Sequence, residues 1–356
     1  MSHPIEKLEP AKQKRVTAQL RDILRTTDPE AADTQRAALA DELRDQHPEV
    51  AEWILDGHKK EEPKQPSALE ELPILSDRVR QLKGKTVLIK YGGNAMVDDA
   101  AKQNVISDIC TLKSLGIDVV VVHGGGPVIS ELLGKVGLKS RFIGGHRKTD
   151  RSTMGYVEMA LSGRVNSEIV KLIGFNGYKS VGISGKDGSL VVAKKRIHKV
   201  KEGETIRRSD LGMVGDVKEV NTDLVDALLE KDYIPVIAPI GVGEDLEDYN
   251  INADMFAGHM AAALDAEAYV VLTDVDGICI DKDDPETLIS AFSSYGARKE
   301  IGRIIRGGMI PKVESMLIAL DGGVGEAHIV NGMTPRSALE ILLTDRETGT
   351  TIRDHA

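Results

Sequence analysis

The sequence has too few cysteines and too few long apolar runs for a disulfide-stapled or membrane-spanning protein. Cys110 and Cys279 are the two cysteines in 356 residues, and two thiols cannot form a disulfide framework, so we expect a reducing cytoplasm. No apolar run approaches the roughly 18–20 residues that cross a bilayer. Residues 1–10 also lack the apolar core of a signal peptide. A formal charge of −10 disfavours nucleic acid and anionic membranes as partners.

Glycine is almost missing from the first fifth of the chain. Of 35 glycines only Gly57 lies in residues 1–75, which leaves 35 − 1 = 34 for the rest. Apolar residues at helical spacing in this front part, such as Val16 and Leu20, predict helices. We therefore expect a helical extension and charged linker over residues 1–66, followed by a further helix within residues 67–84. The extension is either a small solvated appendage or a regulatory or oligomerisation element. Its apolar stripes must be covered, either by one another or by another subunit.

From residue 85 the pattern changes to short β-branched runs separated by helical stretches. Apolar strands that alternate with helices predict an α/β fold with a mainly parallel central sheet. The predicted strands are 86–90, 118–122, 179–183, 234–238, 269–273 and 328–330.

Two of these strands end in glycine. Gly92 and Gly93 follow the first, and residues 124–126 follow the second. A strand that stops in glycine and turns into a helix presents backbone N–H groups to an anion, although a Gly-Gly pair alone is more typical of a tight turn. Neither turn has the G-x-x-x-x-G-K-[ST] or G-x-G-x-x-G pattern. The turns therefore indicate phosphate or carboxylate binding outside those two nucleotide folds.

Six motifs, in a fixed order, closely resemble the amino acid kinase family, and within it the members that act on N-acetyl-L-glutamate. The resemblance runs from about residue 72 to residue 352. The motifs are residues 90–94 (KYGGN), 123–127 (HGGGP), 145–150 (GHRKTD), 250–254 (NINAD), 272–277 (LTDVDG) and 307–312 (GGMIPK).

The resemblance implies that residues 85–356 form a three-layer αβα sandwich. It further implies transfer of the γ-phosphoryl group of ATP to the side-chain carboxylate of N-acetyl-L-glutamate, a step in arginine biosynthesis. The first half of the domain would hold the amino acid and the second half ATP. We expect Mg²⁺ only as the ion carried by ATP, because no His or Cys cluster has metal-ligand spacing.

The matched motifs also imply which residues perform the chemistry. Phosphoryl transfer between two anions needs positive charge around the moving group, which Lys90 and Lys312 would supply. Asp254 would hold both ammonium groups, or alternatively cap the helix that follows it. Expected substrate-binding residues are Gly125, Gly126, Arg147 and Asn250, and expected phosphate- or ATP-binding residues are Gly92, Gly93, Thr273, Asp274, Gly307 and Gly308.

Two segments resemble the regulatory parts of the arginine-inhibited members of the family. Residues 69–75 (LEELPIL) resemble a mobile N-terminal helix that links dimers into a hexameric ring. Glu347 and Gly349 lie in a stretch that resembles the arginine-binding loop. We therefore expect a homo-oligomer, dimer or hexamer, that L-arginine inhibits.

Two alternative functions fit the same motifs. One is a related kinase for another N-acylated amino acid, such as acetylaminoadipate. The other is a non-catalytic arginine-sensing domain of the kind fused to an acetyltransferase in some synthases. The second alternative is disfavoured because Lys90, Lys312 and Asp254 are all present, and because the 356 residues contain no acetyltransferase segment.

Overall fold

The structure, a computed structural model, describes residues 8–25, 29–56, 75–202 and 205–354. It separates into two units, residues 1–64 and residues 65–356. The boundary that the sequence predicts at residue 66, and the first part of the helix predicted within 67–84, lie outside the described residues. Helices in the described ranges are all too short or too polar to traverse a bilayer.

The first unit is helical, with a small core of its own. It contains α1 (Pro10–Arg25), α2 (Pro29–Arg44) and α3 (Pro48–Asp56), and each helix begins with proline, which suits a position whose N–H has no helical partner. The helices bury apolar side chains against one another, so part of the predicted stripe is covered within the unit. The buried residues are Leu8, Val16, Leu39, Ala40, Leu43, Val50, Ala51 and Ile54.

The second unit alternates strands with helices. Its helices are α4 (Ser76–Leu82), α5 (Asp99–Ser114), α6 (Gly126–Lys135), α7 (Arg151–Glu158), α8 (Ser167–Phe175), α9 (Asp223–Glu230), α10 (Ala253–Ala263), α11 (Ser294–Glu300), α12 (Met309–Asp321) and α13 (Ser337–Leu343). Its strands are β1 (Thr86–Tyr91), β2 (Asp118–His123), β3 (Arg141–Ile143), β4 (His146–Lys148), β5 (Ser180–Ser184), β6 (Val191–Glu202), β7 (Thr205–Val220), β8 (Ile234–Ala238), β9 (Ile240–Gly243), β10 (Asp248–Ile251), β11 (Ala268–Thr273), β12 (Ile278–Cys279), β13 (Leu288–Ile289), β14 (Ala291–Ser293), β15 (Glu326–Asn331) and β16 (Thr350–Arg353). A π-helical segment, Met159–Asn166, joins α7 to α8.

The central sheet has eight strands in the order β14-β16-β15-β11-β1-β2-β8-β5. All its neighbouring pairs are parallel except β15 and β16. The six strands predicted from the sequence are the six contiguous strands from β15 to β5, which confirms the α/β fold with a mainly parallel sheet. The other two strands, β14 at one edge and β16 beside it, are three and four residues long, too short to show a pattern.

Helices cover both faces of this sheet, which confirms the three-layer sandwich. The alternation along β1 decides which side chain enters which layer. Val87 and Ile89 pack in the core under α5, α8 and α13, whereas Leu88 packs in the core under α10 and α12. Lys90 lies two residues beyond Leu88 and therefore faces the α10 side.

A second β structure lies beside the sheet. Strands β10, β7, β6 and β9 pair in a closed ring, and β3 and β4 form a separate hairpin. The sequence did not indicate this ring, because residues 194–202 are charged or polar at most positions and lack the apolar runs of the central strands. The ring matters for the site because β10 leads directly into α10.

A buried carboxyl joins two helices on the other side of the sheet. Asp108 on α5 is 4% exposed and accepts a hydrogen bond from the N–H of Ala338, at 3.3 Å, in the first turn of α13. The side chain of Arg336, the N-cap residue of α13, forms no capping hydrogen bond with this helix. Burial raises the pKa of Asp108 to about 7.

This raised pKa predicts a pH dependence of folding. Between its unfolded value and about 7, Asp108 is protonated in the folded chain and ionised in the unfolded one, so its contribution is present at low pH and lost as pH rises. Because of Asp108, we expect the unfolding free energy of the wild type to fall by on the order of 4 kcal/mol between pH 4 and pH 8. Asp108→Asn should not show this part of the fall. Urea titrations across that range measure it.

The matched control for this substitution is Asp98→Asn. Asp98 also caps a helix, accepting from the Ala101 N–H at 2.8 Å, but it is exposed. The stability curve of Asp98→Asn gives the reference for the loss of an exposed capping carboxyl. Equal slopes for wild type and Asp108→Asn would contradict the prediction.

Candidate active site

The two glycine turns lie side by side at the carboxyl edge of the sheet, because β1 and β2 are neighbours in it. The Gly124 N–H donates to the carbonyl of Tyr91 at 2.7 Å and so ties one turn to the other. The Tyr91 hydroxyl donates to the carbonyl of Ala95 at 2.7 Å, which fixes the chain just after the first turn. The turns are thus held together by their own backbone before any ligand arrives.

Glycine is required in the first turn for two separate reasons. A Cβ at Gly92 would lie 2.6 Å from the Lys90 Nζ, so a side chain there would displace the ammonium group. Gly93 has φ +76°, a left-handed conformation that glycine adopts without strain. Among the described residues, the N–H groups of Gly92, Gly93 and Gly125 donate to no other backbone group. They remain available to an anion.

Residues from four separate motifs line one cleft of about 310 Å³, which we call the substrate cleft. The structure therefore brings together eight of the predicted site residues, and Lys312 joins them through Asp254. These eight are Lys90, Gly92, Gly93, Gly125, Gly126, Arg147, Asn250 and Asp254.

One carboxylate at the cleft contacts two lysines. The Lys90 Nζ lies 2.8 Å from Asp254 Oδ1, and the Lys312 Nζ lies 3.2 Å from Oδ2 and 3.4 Å from Oδ1. The side chains of Asp254 and Lys90 are less than a tenth exposed. Asn252, rather than Asp254, caps α10, since its side chain accepts from the N–H groups of Asp254 and Met255. Both oxygens of Asp254 are therefore free for the lysines.

Burial and the neighbouring charges shift the pKa values of Asp254 and Lys312. Burial acts to raise the pKa of Asp254, but the ammonium groups of Lys90 and Lys312 outweigh it and hold that pKa below its ordinary value. Burial and the like charge of Lys90 lower the pKa of Lys312. The cleft thus holds one ionised carboxylate and two crowded cations, an excess of positive charge.

Arg147, on β4, supplies a further cation among the residues that line the cleft. It is 8% exposed and donates to the Gly126 carbonyl at 2.9 Å, to the Ser130 hydroxyl at 3.0 Å and to the Ser140 hydroxyl. Its guanidinium lies 4.7 Å from the centre of the Phe142 ring. Within the described ranges no carboxylate lies at ion-pair distance from it. A desolvated guanidinium held by neutral groups is suited to binding an anion.

Asn250 lies on β10 at the same cleft. Its side-chain amide donates to the Thr149 hydroxyl at 3.4 Å, which leaves the amide oxygen directed elsewhere. His123 is a scaffold group here, since burial lowers its pKa to about 4 and its ring contacts the Gly124 carbonyl at 2.8 Å and the Asn166 amide at 3.1 Å. A neutral imidazole of this kind orients the glycine turn.

The residues predicted to bind nucleotide fall into two groups. Gly307 and Gly308, before α12, line a second cavity of about 500 Å³ that shares Gly145, His146 and Asn252 with the substrate cleft. Thr273 is the last residue of β11 and Asp274 follows it, and the Thr273 hydroxyl contacts the Asp274 carboxylate at 3.3 Å. Neither of these two lines a cavity described here. Val275 and Gly277, just beyond them, line a third cavity of about 940 Å³.

The two predicted regulatory residues, Glu347 and Gly349, also lie in different surroundings. Glu347 lines a fourth cavity of about 270 Å³ together with Arg78 of α4 and Arg353 of β16. Gly349 does not line that cavity. It has φ +75°, and a Cβ there would collide with the Ile329 carbonyl, so glycine allows the chain to pass close to β15. The segment predicted to be a mobile helix, residues 69–75, lies almost wholly outside the described residues.

The sequence reasoning did not single out several residues that shape the cleft. Asn252 stands two residues before Asp254, and an Asn followed by a helical run is a recognisable cap. Ser130 and Ser140 hold Arg147 but belong to no motif. Leu161 lines the cleft from the π-helical segment, a position that helical periodicity alone does not predict.

Comparison with known proteins gives the class that this fold and site define. The model of the amino acid kinase family matches residues 85–331. The chain belongs to the amino acid kinase family. Two curated relatives carry the name acetylglutamate kinase. The one from Heliobacterium modesticaldum is 52% identical over 291 residues, which cover 80% of this chain and 98% of the relative. The one from Moorella thermoacetica is 46% identical over 298 residues, with the same coverage.

A solved structure shares the fold at lower identity. It is an N-acetylglutamate synthase from Neisseria gonorrhoeae, complexed with coenzyme A and L-arginine, with a TM-score of 0.65 and 23% identity. The match covers 79% of this chain and 64% of the synthase, so the chain spans under two thirds of that protein.

The Lys90–Asp254–Lys312 arrangement predicts a large stability effect. Removing the one carboxylate between two buried cations leaves them without a counter-charge, so we expect Asp254→Asn to lower the unfolding free energy by about 3–5 kcal/mol at neutral pH. The loss should shrink at high pH, because Lys312, with its lowered pKa, then deprotonates. Urea unfolding at several pH values measures both effects.

Asp248→Asn is the control for this change. Asp248 contacts the Lys186 Nζ at 3.0 Å and is about one third exposed, so its loss should cost no more than about 1 kcal/mol. If Asp254→Asn were as stable as wild type throughout, the two lysines would not depend on that carboxylate.

Proposed function

We propose that this protein transfers the γ-phosphoryl group of ATP to the side-chain carboxylate of N-acetyl-L-glutamate, giving N-acetyl-L-glutamyl 5-phosphate and ADP, a step of arginine biosynthesis in the cytoplasm. The observation that carries the proposal is the pair of lysines on one buried carboxylate, directly beside two glycine turns. The name of the curated relatives supplies the substrate.

The substrate cleft offers one cationic residue to each carboxylate of the amino acid, Arg147 to one and Lys90 to the other. Arg147 grips the α-carboxylate with two guanidinium N–H groups, a geometry that suits a bidentate pair. Asn250 hydrogen-bonds the neighbouring acetamido group. The side-chain carboxylate then extends toward Lys90 and the N–H groups of Gly92, Gly93 and Gly125. Because this carboxylate is already ionised at neutral pH, no general base is needed.

Transfer is an in-line displacement at phosphorus. An oxygen of the substrate carboxylate forms a bond to the γ-phosphorus while the bond from that phosphorus to the β-γ bridging oxygen breaks, and ADP leaves with the electron pair. Lys90 and the glycine N–H groups stabilise the charge on the attacking side, and Lys312 stabilises it on the leaving side. Asp254 positions both ammonium groups and does not take up a proton.

ATP occupies the cavities on the α12 side. Gly307 and Gly308, at the N-terminus of α12, would face its phosphates, where the helix dipole favours negative charge. Thr273 and Asp274 would support the loop that leads into the large third cavity. Among the described residues that line the substrate cleft, Asp254 is the one carboxylate, and both its oxygens already contact ammonium groups. Mg²⁺ therefore enters with ATP as part of the substrate.

A hydroxamate assay tests this reaction. Hydroxylamine traps an acyl phosphate, so purified protein with MgATP should give coloured product with N-acetyl-L-glutamate and much less with free glutamate. Lys90→Met and Lys312→Met should each lower kcat by about 10²–10³, because each removes charge stabilisation from the transition state.

Lys186→Met is the matched control. This lysine also contacts two carboxylates, those of Glu158 and Asp248, but it does not line the substrate cleft, so kcat should stay near the wild-type value. Absence of any trapped product with N-acetyl-L-glutamate would refute the proposed reaction.

We also propose that L-arginine inhibits the enzyme through the fourth cavity. Glu347 and Asp345 offer carboxylates to the guanidinium and amino groups of an arginine ligand, while Arg346 can meet its carboxylate. Arg78 connects α4 to this cavity and forms an ion pair with Glu326 on β15. We propose residues 67–84 as the regulatory helix that joins subunits into a homo-oligomer, either dimer or hexamer.

Inhibition curves test the regulatory site. We expect Glu347→Gln to raise the arginine concentration for half-inhibition about 10-fold, the effect of losing one charge-assisted hydrogen bond. Glu244→Gln, an exposed carboxylate paired with Lys218 and outside the cavity, should leave the curve unchanged. A full-length enzyme that is indifferent to millimolar arginine would rule the proposal out.

A further inference from the structure

The π-helical segment Met159–Asn166 is fixed to the sheet beside the substrate cleft. The Asn166 amide donates to the Val236 carbonyl of β8 at 2.8 Å and to the Ile183 carbonyl of β5 at 3.3 Å, and it contacts His123 of β2. Asn166 is 5% exposed, so these bonds are shielded from water. One amide therefore anchors the segment to three strands.

The π-helical winding decides where Leu161 points. In an α-helix each residue advances the side-chain direction by about 100°, and π-helical turns, with one more residue each, rotate the side chains relative to a continuous α-helix. Leu161 Cδ2 lies 2.5 Å from the position that a Cβ on Gly125 would take. The leucine thus fills the space left by the missing side chain of Gly125.

A buried apolar cluster also holds Leu161 in place. The leucine is 2% exposed and belongs to this cluster with Leu133, Val157 and Ile240. Its other side lines the substrate cleft. Leu161 is packed between this apolar cluster and the Gly125 turn, so a ligand in the cleft cannot easily displace it.

We infer that Leu161 sets the chain length of the acyl amino acid that the cleft accepts, an inference that rests on the proposed function. Lys90 and Arg147 both line the cleft, and hydrogen bonds or an ion pair hold each of them in place, so the two groups that would receive the substrate's carboxylates are fixed. A substrate with one more methylene must buckle sideways between them. Leu161, beside the Gly125 turn, occupies the space into which the chain would buckle.

The test compares two substrates that differ by one methylene. We would measure kcat/KM for N-acetyl-L-glutamate and for N-acetyl-L-2-aminoadipate with wild type, Leu161→Ala and Leu133→Ala. One methylene in an apolar pocket changes discrimination roughly 10- to 200-fold. We therefore expect Leu161→Ala to raise the ratio for aminoadipate over glutamate at least about 10-fold.

Leu133→Ala is the matched control, since Leu133 is a leucine of the same cluster that is 1% exposed and does not line the cleft. It should lose comparable stability and keep the wild-type ratio. Leu161→Val, a smaller truncation, gives the same comparison if Leu161→Ala does not fold, with a smaller shift in the same direction.

The two ideas fail in different ways. If wild type phosphorylates N-acetyl-L-glutamate but the Leu161 variants keep its substrate ratio, or match Leu133→Ala, the inference about Leu161 is wrong. If wild type phosphorylates neither compound, the proposed function is wrong and the length selection falls with it.

Discussion

The site depends on a single carboxylate that neutralises two ammonium groups. Two lysines brought to one cleft repel each other, and burial strengthens the repulsion because little water screens it. Asp254 reduces the repulsion between the two lysines but does not neutralise both of them, since one negative charge faces two positive ones. The remaining positive charge is available for an anion, so the same interaction that permits folding also prepares the cleft for phosphate.

Each partner of that interaction comes from a different element of the fold. Lys90 is the last residue but one of the central strand β1, Asp254 lies in the first turn of α10, and Lys312 lies in the first turn of α12. Helices α10 and α12 pack on the same face of the sheet, the face to which Lys90 points. Because strand β10 of the closed ring leads directly into α10, the position of the carboxylate depends on the ring as well as on the central sheet.

The sequence could predict the parts of the structure that local patterns encode. Six β-branched runs located the six parallel strands, and the motifs located Lys90, Arg147, Asn250 and Asp254, which meet at one cleft. Other features arise only when distant segments meet. The order of the strands, the ring of β6, β7, β9 and β10, and the winding that aims Leu161 are set by tertiary contacts. Thr273 and Asp274 illustrate the same limit, because a motif places them at a strand end without revealing which cavity they approach.

Arg147 and the two lysines differ in whether a protein carboxylate is paired with them, and this difference affects how each binds an anion. The two lysines share one protein carboxylate, so they are already partly neutralised. An incoming phosphate binds to the positive charge that remains, and Asp254 stays in place. Arg147 has only neutral oxygen partners within the described structure, and it therefore bears the desolvation cost of an unpaired charge until a carboxylate arrives. Part of the binding energy at that end of the cleft comes from relieving this cost. A neutral analogue, which offers no counter-charge to Arg147, cannot recover it, so selection for a doubly charged amino acid is built into the empty cleft.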